Sequence, residues 1–152
     1  MELKLYKRPF ACLTVGGGRA RMTPSVLSRF SSALAAKKIN TEFISSGEYS
    51  LCFFVDEKDF AKGKAAFADV LRKTAFESLQ TGKSIAGMTA SGKELVQSPG
   101  MLTEIIKPLS SGKIDILTIT SSPDSIAIFV DWNARKKAFR LLATAFKKSK
   151  IR

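Results

Sequence analysis

The chain has 152 residues, of which 45% are hydrophobic, with a formal net charge of +12 and no histidine. The lack of histidine excludes a Ser-His-Asp triad and His-containing zinc sites, and it removes the usual general base at neutral pH. The positive charge indicates an anionic or acidic partner, so nucleic acid must be considered. No apolar run reaches the roughly 20 residues that span a bilayer, and no signal peptide is evident. We therefore expect a cytoplasmic protein without a membrane partner.

The first elements in chain order are two strands and a helix. Residues 2–6 alternate with period two and predict a short strand, and residues 10–15 are nearly all apolar and predict a central strand. The three glycines at 16–18 let the backbone approach either a ligand or a neighbouring loop. Thr23-Pro24 predicts the start of a helix, as N-cap and first helical residue, and this helix ends near residues 37–38.

Two further strands and a second helix complete the first half of the chain. Residues 40–46 and 50–55 predict strands joined by a hairpin at Gly47-Glu48. Asp56 or Asp59 caps the helix that follows. Cys12 and Cys52 are too few for a disulfide framework and lie on strands predicted to be neighbours. Reduced packing thiols are the favoured interpretation, and a redox pair is the alternative.

The same pattern then recurs at an offset of 99 − 24 = 75 residues, without a gap from Ala11/Ala86 to Ala68/Ala143. This register predicts two copies of one module, residues 1–75 and 76–152. Each copy has the order ββαββα, which is a rotation of the split βαβ plan, βαββαβ. We expect the strand at 2–6 to complete the second unit and the strand at 76–80 to complete the first.

Two charged motifs have ordinary interpretations. Thr81-Gly82-Lys83-Ser84 resembles the tail of a phosphate loop, but Glu77 stands where the leading glycine belongs. We interpret this motif as a turn between two strands. Basic residues crowd the last helix, and we favour a solvated face or a surface for an acidic domain over a nucleic-acid site. They are Arg135, Lys136, Lys137, Arg140, Lys147, Lys148, Lys150 and Arg152.

A candidate ligand site is predicted at the start of the first helix. The N-terminal end of a helix, here Thr23-Pro24-Ser25, suits a carboxylate. Glu42 and Glu48 suit ammonium groups if both face that end, which together fits a free amino acid. Alternatively, the two glutamates neutralise the lysines at 37–38. The second copy has Leu117 and Pro123 at the two glutamate positions, so only the first copy is expected to hold a cationic ligand.

The motifs as a set resemble a known family. Pro-Gly-Met-Leu-Thr-Glu-Ile-Ile at 99–106, with Ile114-Asp115-Ile116 and a Ser-rich strand pair, is similar to an ACT domain. The segment Thr23-Pro24-Ser25, together with residues 39–50, is similar to an ACT domain in the same way. The tandem resembles the C-terminal regulatory region of aspartate kinase. This resemblance implies an α+β fold with two ferredoxin-like (βαββαβ) units side by side, helices on one face of an antiparallel sheet, and the N-terminal strand exchanged into the second unit.

The resemblance also implies a function and a set of site residues. In this family the ACT units form homodimers and bind lysine or threonine, which inhibits the kinase. The implied effector-binding residues are Thr23, Pro24, Ser25, Asn40, Thr41, Glu42, Gly47 and Glu48. The acidic residues favour lysine over threonine, whereas Ser25 and Gly47 depart from the family pattern.

The catalytic half of aspartate kinase has no counterpart in this chain. The kinase motif Lys-Phe/Tyr-Gly-Gly-Thr/Ser-Ser does not occur. We therefore expect no catalytic residues, metal or cofactor here, and a kinase domain that belongs to the full-length protein or to a separate subunit. The alternatives are a free-standing ACT pair that acts as a dimerisation module and a basic, nucleic-acid-binding ferredoxin-like protein.

Overall fold

The computed structural model describes residues 1–18, 21–93, 95 and 99–149. The chain divides into two compact units. The first unit is Arg8–Ser84, and the second unit combines Met1–Lys7 with Ile85–Arg152. In chain order the elements are β1 (Glu2–Leu5), β2 (Phe10–Gly16), α1 (Pro24–Ala36), β3 (Phe43–Ser46), β4 (Ser50–Asp56), α2 (Phe60–Leu71), β5 (Ser78–Ser91), α3 (Met101–Ser111), β6 (Thr118–Ser121), β7 (Ser125–Asp131) and α4 (Arg135–Ser149).

In the first unit the strands lie in the order β3-β4-β2-β5, with the first half of β5 beside β2. Alternate residues of β2 and β4 point toward α1 and α2, because successive side chains of a strand face opposite sides of the sheet. The fully buried core contains Leu13, Phe30, Phe53 and Phe67. The rings of Phe53 and Phe67 meet edge to face, with centroids 5.2 Å apart, which is a favourable aromatic geometry.

The second unit has the strand order β1-β5-β7-β6. β1 pairs with the second half of β5, with Glu2 opposite Ser91 and Leu5 opposite Met88. The exchange of the N-terminal strand into the second unit is therefore confirmed, as is the ferredoxin-like plan. The core of this unit includes Met88, Ile128 and Leu142 at full burial.

Both units make the same short connection before their last helix. Asp56 accepts a hydrogen bond from the Lys58 N–H at 3.1 Å, and Asp131 accepts one from the Asn133 N–H at 2.8 Å. Each aspartate caps a single 3-10 turn that leads into α2 or α4. This shared role explains why the repeat retains Asp at the end of both strands.

Residues 81–84 are not a turn, so that prediction was wrong. They lie inside β5, which runs without interruption from Ser78 to Ser91. Ser84 has a φ of 55°, and its N–H donates to Glu57 Oε2 at 2.6 Å. Each half of β5 has a neighbouring strand in its own unit, and this pairing overrides the local turn signal. Within the described residues, no helix is long and apolar enough to cross a bilayer.

Candidate functional site

The start of α1 has the geometry that the sequence predicts. Thr23 is the N-cap, with φ −124° and ψ 158°, and Pro24 is the first helical residue. The Thr23 hydroxyl accepts a hydrogen bond from the Val26 N–H at 3.3 Å. The N–H of Ser25 has no carbonyl acceptor within the helix, because the first N–H groups of any helix lack a preceding turn. This N–H and the positive end of the helix dipole together favour an anionic group.

The β3–β4 hairpin lies beside the segment that precedes α1. The Gly47 N–H donates to the Ser50 carbonyl at 2.9 Å, and the Met22 N–H donates to the Glu48 carbonyl at 2.8 Å. The Glu48 carboxylate forms an ion pair with Arg21 at 3.0 Å, and the two side chains are 55% and 70% exposed. The hairpin therefore places one carboxylate near the start of the helix, paired with an arginine of the same unit.

Glu42 lies at the other end of β3. Its carboxylate accepts a hydrogen bond from the Asn40 amide at 3.1 Å, and its N–H donates to the Phe54 carbonyl at 2.9 Å. At about 3.3 Å per residue, Glu42 is roughly 13 Å along the strand from Ser46 and the hairpin. Thr41 beside it is half-buried. Within the first unit, Glu42 and Glu48 do not converge on the helix start, and the ligand role of each remains a prediction.

A cavity of about 420 Å³ opens beside the start of α1. Its lining includes Thr23 and Ser25 from the predicted site, together with Arg21, Val26, Arg29, Lys73, Thr74, Ala75 and Phe76. The Arg29 guanidinium donates to the Lys73 carbonyl at 3.3 Å. Three cationic side chains at a helix N-terminus suit an anionic group.

Arg21, Arg29 and Lys73 were not predicted as site residues from the sequence. One signal was present, since Arg29 follows Ser25 by four residues and therefore lies on the same face of a helix. The sequence did not show that residues 73–76 approach the start of α1, because this approach depends on how α2 packs.

The glycines at 16–18 serve close packing. Gly17 and Gly18 have positive φ values of 84° and 70°. A Cβ atom on Gly18 would lie 2.8 Å from the Ala75 carbonyl oxygen and 2.9 Å from Glu77 Oε1. The sequence left two interpretations open, close approach to a ligand or to a neighbouring loop. The structure shows that these glycines approach the neighbouring segment that contains Ala75 and Glu77.

The equivalent region of the second unit is built differently. α3 begins at Met101 after Gly100, whose φ is 88° and which provides no side-chain cap. Ser98 lies outside the described residues. A cavity of about 360 Å³ lies here, between the start of α3 and the β6–β7 hairpin. Among the residues that the structure describes, its lining is uncharged and consists of Leu95, Pro99, Gly100, Met101, Leu102, Ser121, Ser122 and Ile126.

Part of the basic cluster on α4 has a structural role. Arg135 stacks on Trp132, with the guanidinium 4.0 Å from the ring centroid, and it donates to the Trp132 carbonyl at 2.6 Å. The Lys137 ammonium donates to the Gly112 carbonyl just after α3, at 2.8 Å. Lys150 and Arg152 lie outside the described residues. In the described part of the chain, no group of three or more His, Cys, Asp or Glu side chains is placed to hold a metal ion.

Comparison with known proteins gives the same family for both halves. Models of the ACT domain match residues 13–70 and residues 80–144. Aspartokinase 2 of Bacillus subtilis (strain 168) is 25% identical over 130 residues, which are 83% of this chain and 32% of that protein. The chain therefore spans about a third of the length of this relative.

Two solved structures share the fold along nearly the whole chain. The regulatory subunit of aspartate kinase from Thermus flavus is 19% identical, with a TM-score of 0.82 over 96% of this chain and 97% of that one. E. coli aspartokinase III in complex with lysine and aspartate is 16% identical, with a TM-score of 0.73 over 96% of this chain and 33% of that one. Together with the two model matches, the exchanged strand and the repeated core, this likeness shows that the chain belongs to the ACT-domain family, as a tandem pair similar to the regulatory region of aspartokinases.

Proposed function

We propose that this chain is the amino-acid-sensing regulatory part of a cytoplasmic aspartate kinase, and that the first unit binds lysine at the start of α1. The observation that carries the proposal is the pairing of opposite charges there. A cavity lined by cationic side chains lies at the helix N-terminus. The Glu48 carboxylate lies next to this cavity, because it forms an ion pair with Arg21, which is part of the lining. A free amino acid presents one carboxylate and one ammonium group, which match the cavity and the Glu48 carboxylate.

The proposed binding step exchanges ion pairs. The ligand carboxylate accepts from the Ser25 N–H, and its α-ammonium takes the place of Arg21 on Glu48. The guanidinium of Arg21 is then released toward the ligand carboxylate, so that neither Arg21 nor Glu48 is left unpaired. Threonine presents the same two groups and is the alternative effector. Lysine is favoured because E. coli aspartokinase III, whose fold this chain shares, was solved in complex with lysine and aspartate.

A homodimer is part of this proposal. β3 is the edge strand of the first unit, and Ile44 on it and Tyr49 in the adjoining hairpin are 43% and 50% exposed. An edge strand with apolar side chains is a natural place for a second copy to pair. Regulation then requires only that lysine bind one arrangement of the dimer more tightly, by about 1–3 kcal/mol, with the kinase attached on the same chain or as a separate subunit.

A thermal melting series tests the function. The chain is heated with lysine, threonine, methionine or a short oligonucleotide, and only a true ligand raises the melting temperature. At 100 times the dissociation constant the gain is about 2.7 kcal/mol. We expect the rise with lysine, and its loss in Glu48→Gln but not in the matched hairpin variant Asp124→Asn of the second unit. A rise with the oligonucleotide alone, or with none of the four, would contradict the proposal.

A further inference from the structure

Cys12 and Cys52 lie close together on the sheet of the first unit. β2 and β4 are antiparallel, with Cys12 opposite Phe54 and Thr14 opposite Cys52. Leu13 and Phe53 belong to the core under the helices, so the two cysteines, one residue away, face the opposite side. They are diagonal neighbours on that side, within reach of each other. Both are free thiols of intermediate burial.

The surroundings of the two thiols differ. A hydrogen bond from Cys52 lowers the pKa of Cys12 to about 7, with further help from the Gly82 N–H and Thr14 and against the effect of burial. The same hydrogen bond, together with burial, raises the pKa of Cys52. At pH 7 about half of Cys12 is therefore thiolate, with Cys52 as the protonated donor. A thiolate beside a second thiol is the arrangement of a peroxide-sensitive site.

We propose that Cys12 and Cys52 form a reversible oxidation site for hydrogen peroxide, with Cys12 as the nucleophile and Cys52 as the resolving thiol. The Cys12 thiolate attacks one peroxide oxygen, the O–O bond breaks, and the departing oxygen takes a proton and leaves as water. Cys12 is then a sulfenic acid. The Cys52 sulfur attacks the Cys12 sulfur, the S–O bond breaks, and the leaving hydroxide takes the Cys52 proton. Two thiols and one peroxide thus give one disulfide and two waters.

The strand geometry makes this disulfide easy to reverse. Diagonal neighbours have Cα atoms about 7–8 Å apart, whereas disulfides usually join Cα atoms about 4.4–6.8 Å apart. The strands must therefore draw together, and a strained disulfide is readily reduced. Reversible disulfides of this kind are the ones found in reducing compartments.

Oxidation of the two cysteines also affects the candidate ligand site at the start of α1, because β2 and β4 connect the two places. Gly16 at the end of β2 pairs with Ser50 at the start of β4. Gly16 leads into the loop before α1, and Ser50 closes the hairpin that carries Glu48. A shift of β2 against β4 therefore moves both sides of the start of α1. The oxidation site itself does not depend on the identity of the ligand bound there.

Peroxide treatment followed by alkylation and mass spectrometry tests the proposal. The reduced chain is exposed to hydrogen peroxide at pH 7 and then to iodoacetamide. We expect a monomeric chain lighter by two hydrogen atoms, with both cysteines protected, and full recovery with dithiothreitol. In Cys52→Ser, Cys12 should be trapped by dimedone as the sulfenic acid, and in Cys12→Ser the reaction with peroxide should slow.

A rate measurement without oxidant keeps the test independent of disulfide formation. With a pKa of about 7, Cys12 carries about fifty times more thiolate at pH 7 than an ordinary thiol of pKa 9, and its lower nucleophilicity removes about eightfold of that gain. Alkylation of Cys12 should thus be about sixfold faster than that of an unperturbed thiol. Two free thiols after peroxide, disulfides only between chains, or Cys52 reacting faster than Cys12 would overturn the proposal. Alanine variants at both positions serve if a serine variant does not fold.

Discussion

The starts of α1 and α3 occupy equivalent positions of the repeat but are built from different interactions. At α1, Thr23 caps the helix and the Arg21–Glu48 ion pair joins the preceding segment to the hairpin. At α3, Gly100 ends the loop with a positive φ and without a side-chain cap. Val96 and Pro123 stand where Arg21 and Glu48 would be. The cavity there extends to the hairpin serines, and the described residues that line it are uncharged.

The cores of the two units, by contrast, agree position by position. Five buried residues of the first unit each have a buried partner 75 residues later. The pairs are Leu13/Met88, Phe30/Ile105, Leu34/Leu109, Phe53/Ile128 and Phe67/Leu142. The difference between the two helix starts therefore lies outside this shared core. The fold tolerates that change because these side chains are exposed and contribute little to packing.

Truncation of a matched core pair is expected to have the largest effect. Phe67→Ala should lower the free energy of unfolding by about 3–5 kcal/mol and Leu142→Ala by about 2–5 kcal/mol, because each leaves a cavity in a fully buried site. Urea unfolding measures both. Lys64→Ala on the exposed face of α2 is the control, with an expected change within about 0.5 kcal/mol. A tolerated Leu142→Ala would mean that the second unit lacks the core described for it.

The backbone at Gly100 gives the next largest effect. Gly100→Ala should cost about 1–2 kcal/mol, because alanine is disfavoured at a φ of 88° in the left-handed region. Apart from its two chain neighbours, no described residue has an atom within 4 Å of the added Cβ, so the expected cost is one of conformation. The matched variant Ser25→Ala in the first turn of α1 should change stability by less than about 0.5 kcal/mol. Equal costs at the two positions would contradict the difference between the helix starts.

The cap of α1 is worth about 1 kcal/mol. Thr23→Ala removes the acceptor of the Val26 N–H and should lower stability by about that amount. Thr23→Ser keeps the hydroxyl and should recover most of it. Chemical unfolding of the two variants under one set of conditions measures the difference, and an alanine variant as stable as the serine variant would show that the cap contributes nothing.

The fold was largely predictable from the sequence because its signals are local and occur twice. Thr23-Pro24, the alternation in β2 and β4, and the 75-residue register each specify an element or a pairing. The continuous strand β5 was missed because Gly82 is a turn residue by its local preference, whereas pairing with distant strands decides its conformation. The cationic cavity was missed because Lys73 reaches α1 only through the packing of α2. The separation of Glu42 from the hairpin could have been obtained from the sequence, because residues 40–46 were predicted as a strand and a strand rises about 3.3 Å per residue.

The Arg21–Glu48 ion pair should have the smallest effect on stability. Both side chains are exposed, so Arg21→Ala should change the free energy of unfolding by less than about 0.5 kcal/mol. The variants Arg21→Ala and Glu48→Gln are expected to differ in their effect on ligand affinity. If the ligand ammonium competes with Arg21 for Glu48, Arg21→Ala leaves binding intact or strengthens it, whereas Glu48→Gln weakens it about tenfold or more. Equal losses of affinity in both variants would rule out this competition.

The stoichiometry of lysine binding tests the difference between the two units most directly. Isothermal titration calorimetry on the chain should give one lysine per chain. This binding should be lost in Glu48→Gln and unchanged in Asp124→Asn, because the proposal assigns the ligand ammonium to Glu48, whose counterpart in the second unit is Pro123. Two lysines per chain, or one that persists in Glu48→Gln, would contradict the assignment of the effector site to the first unit.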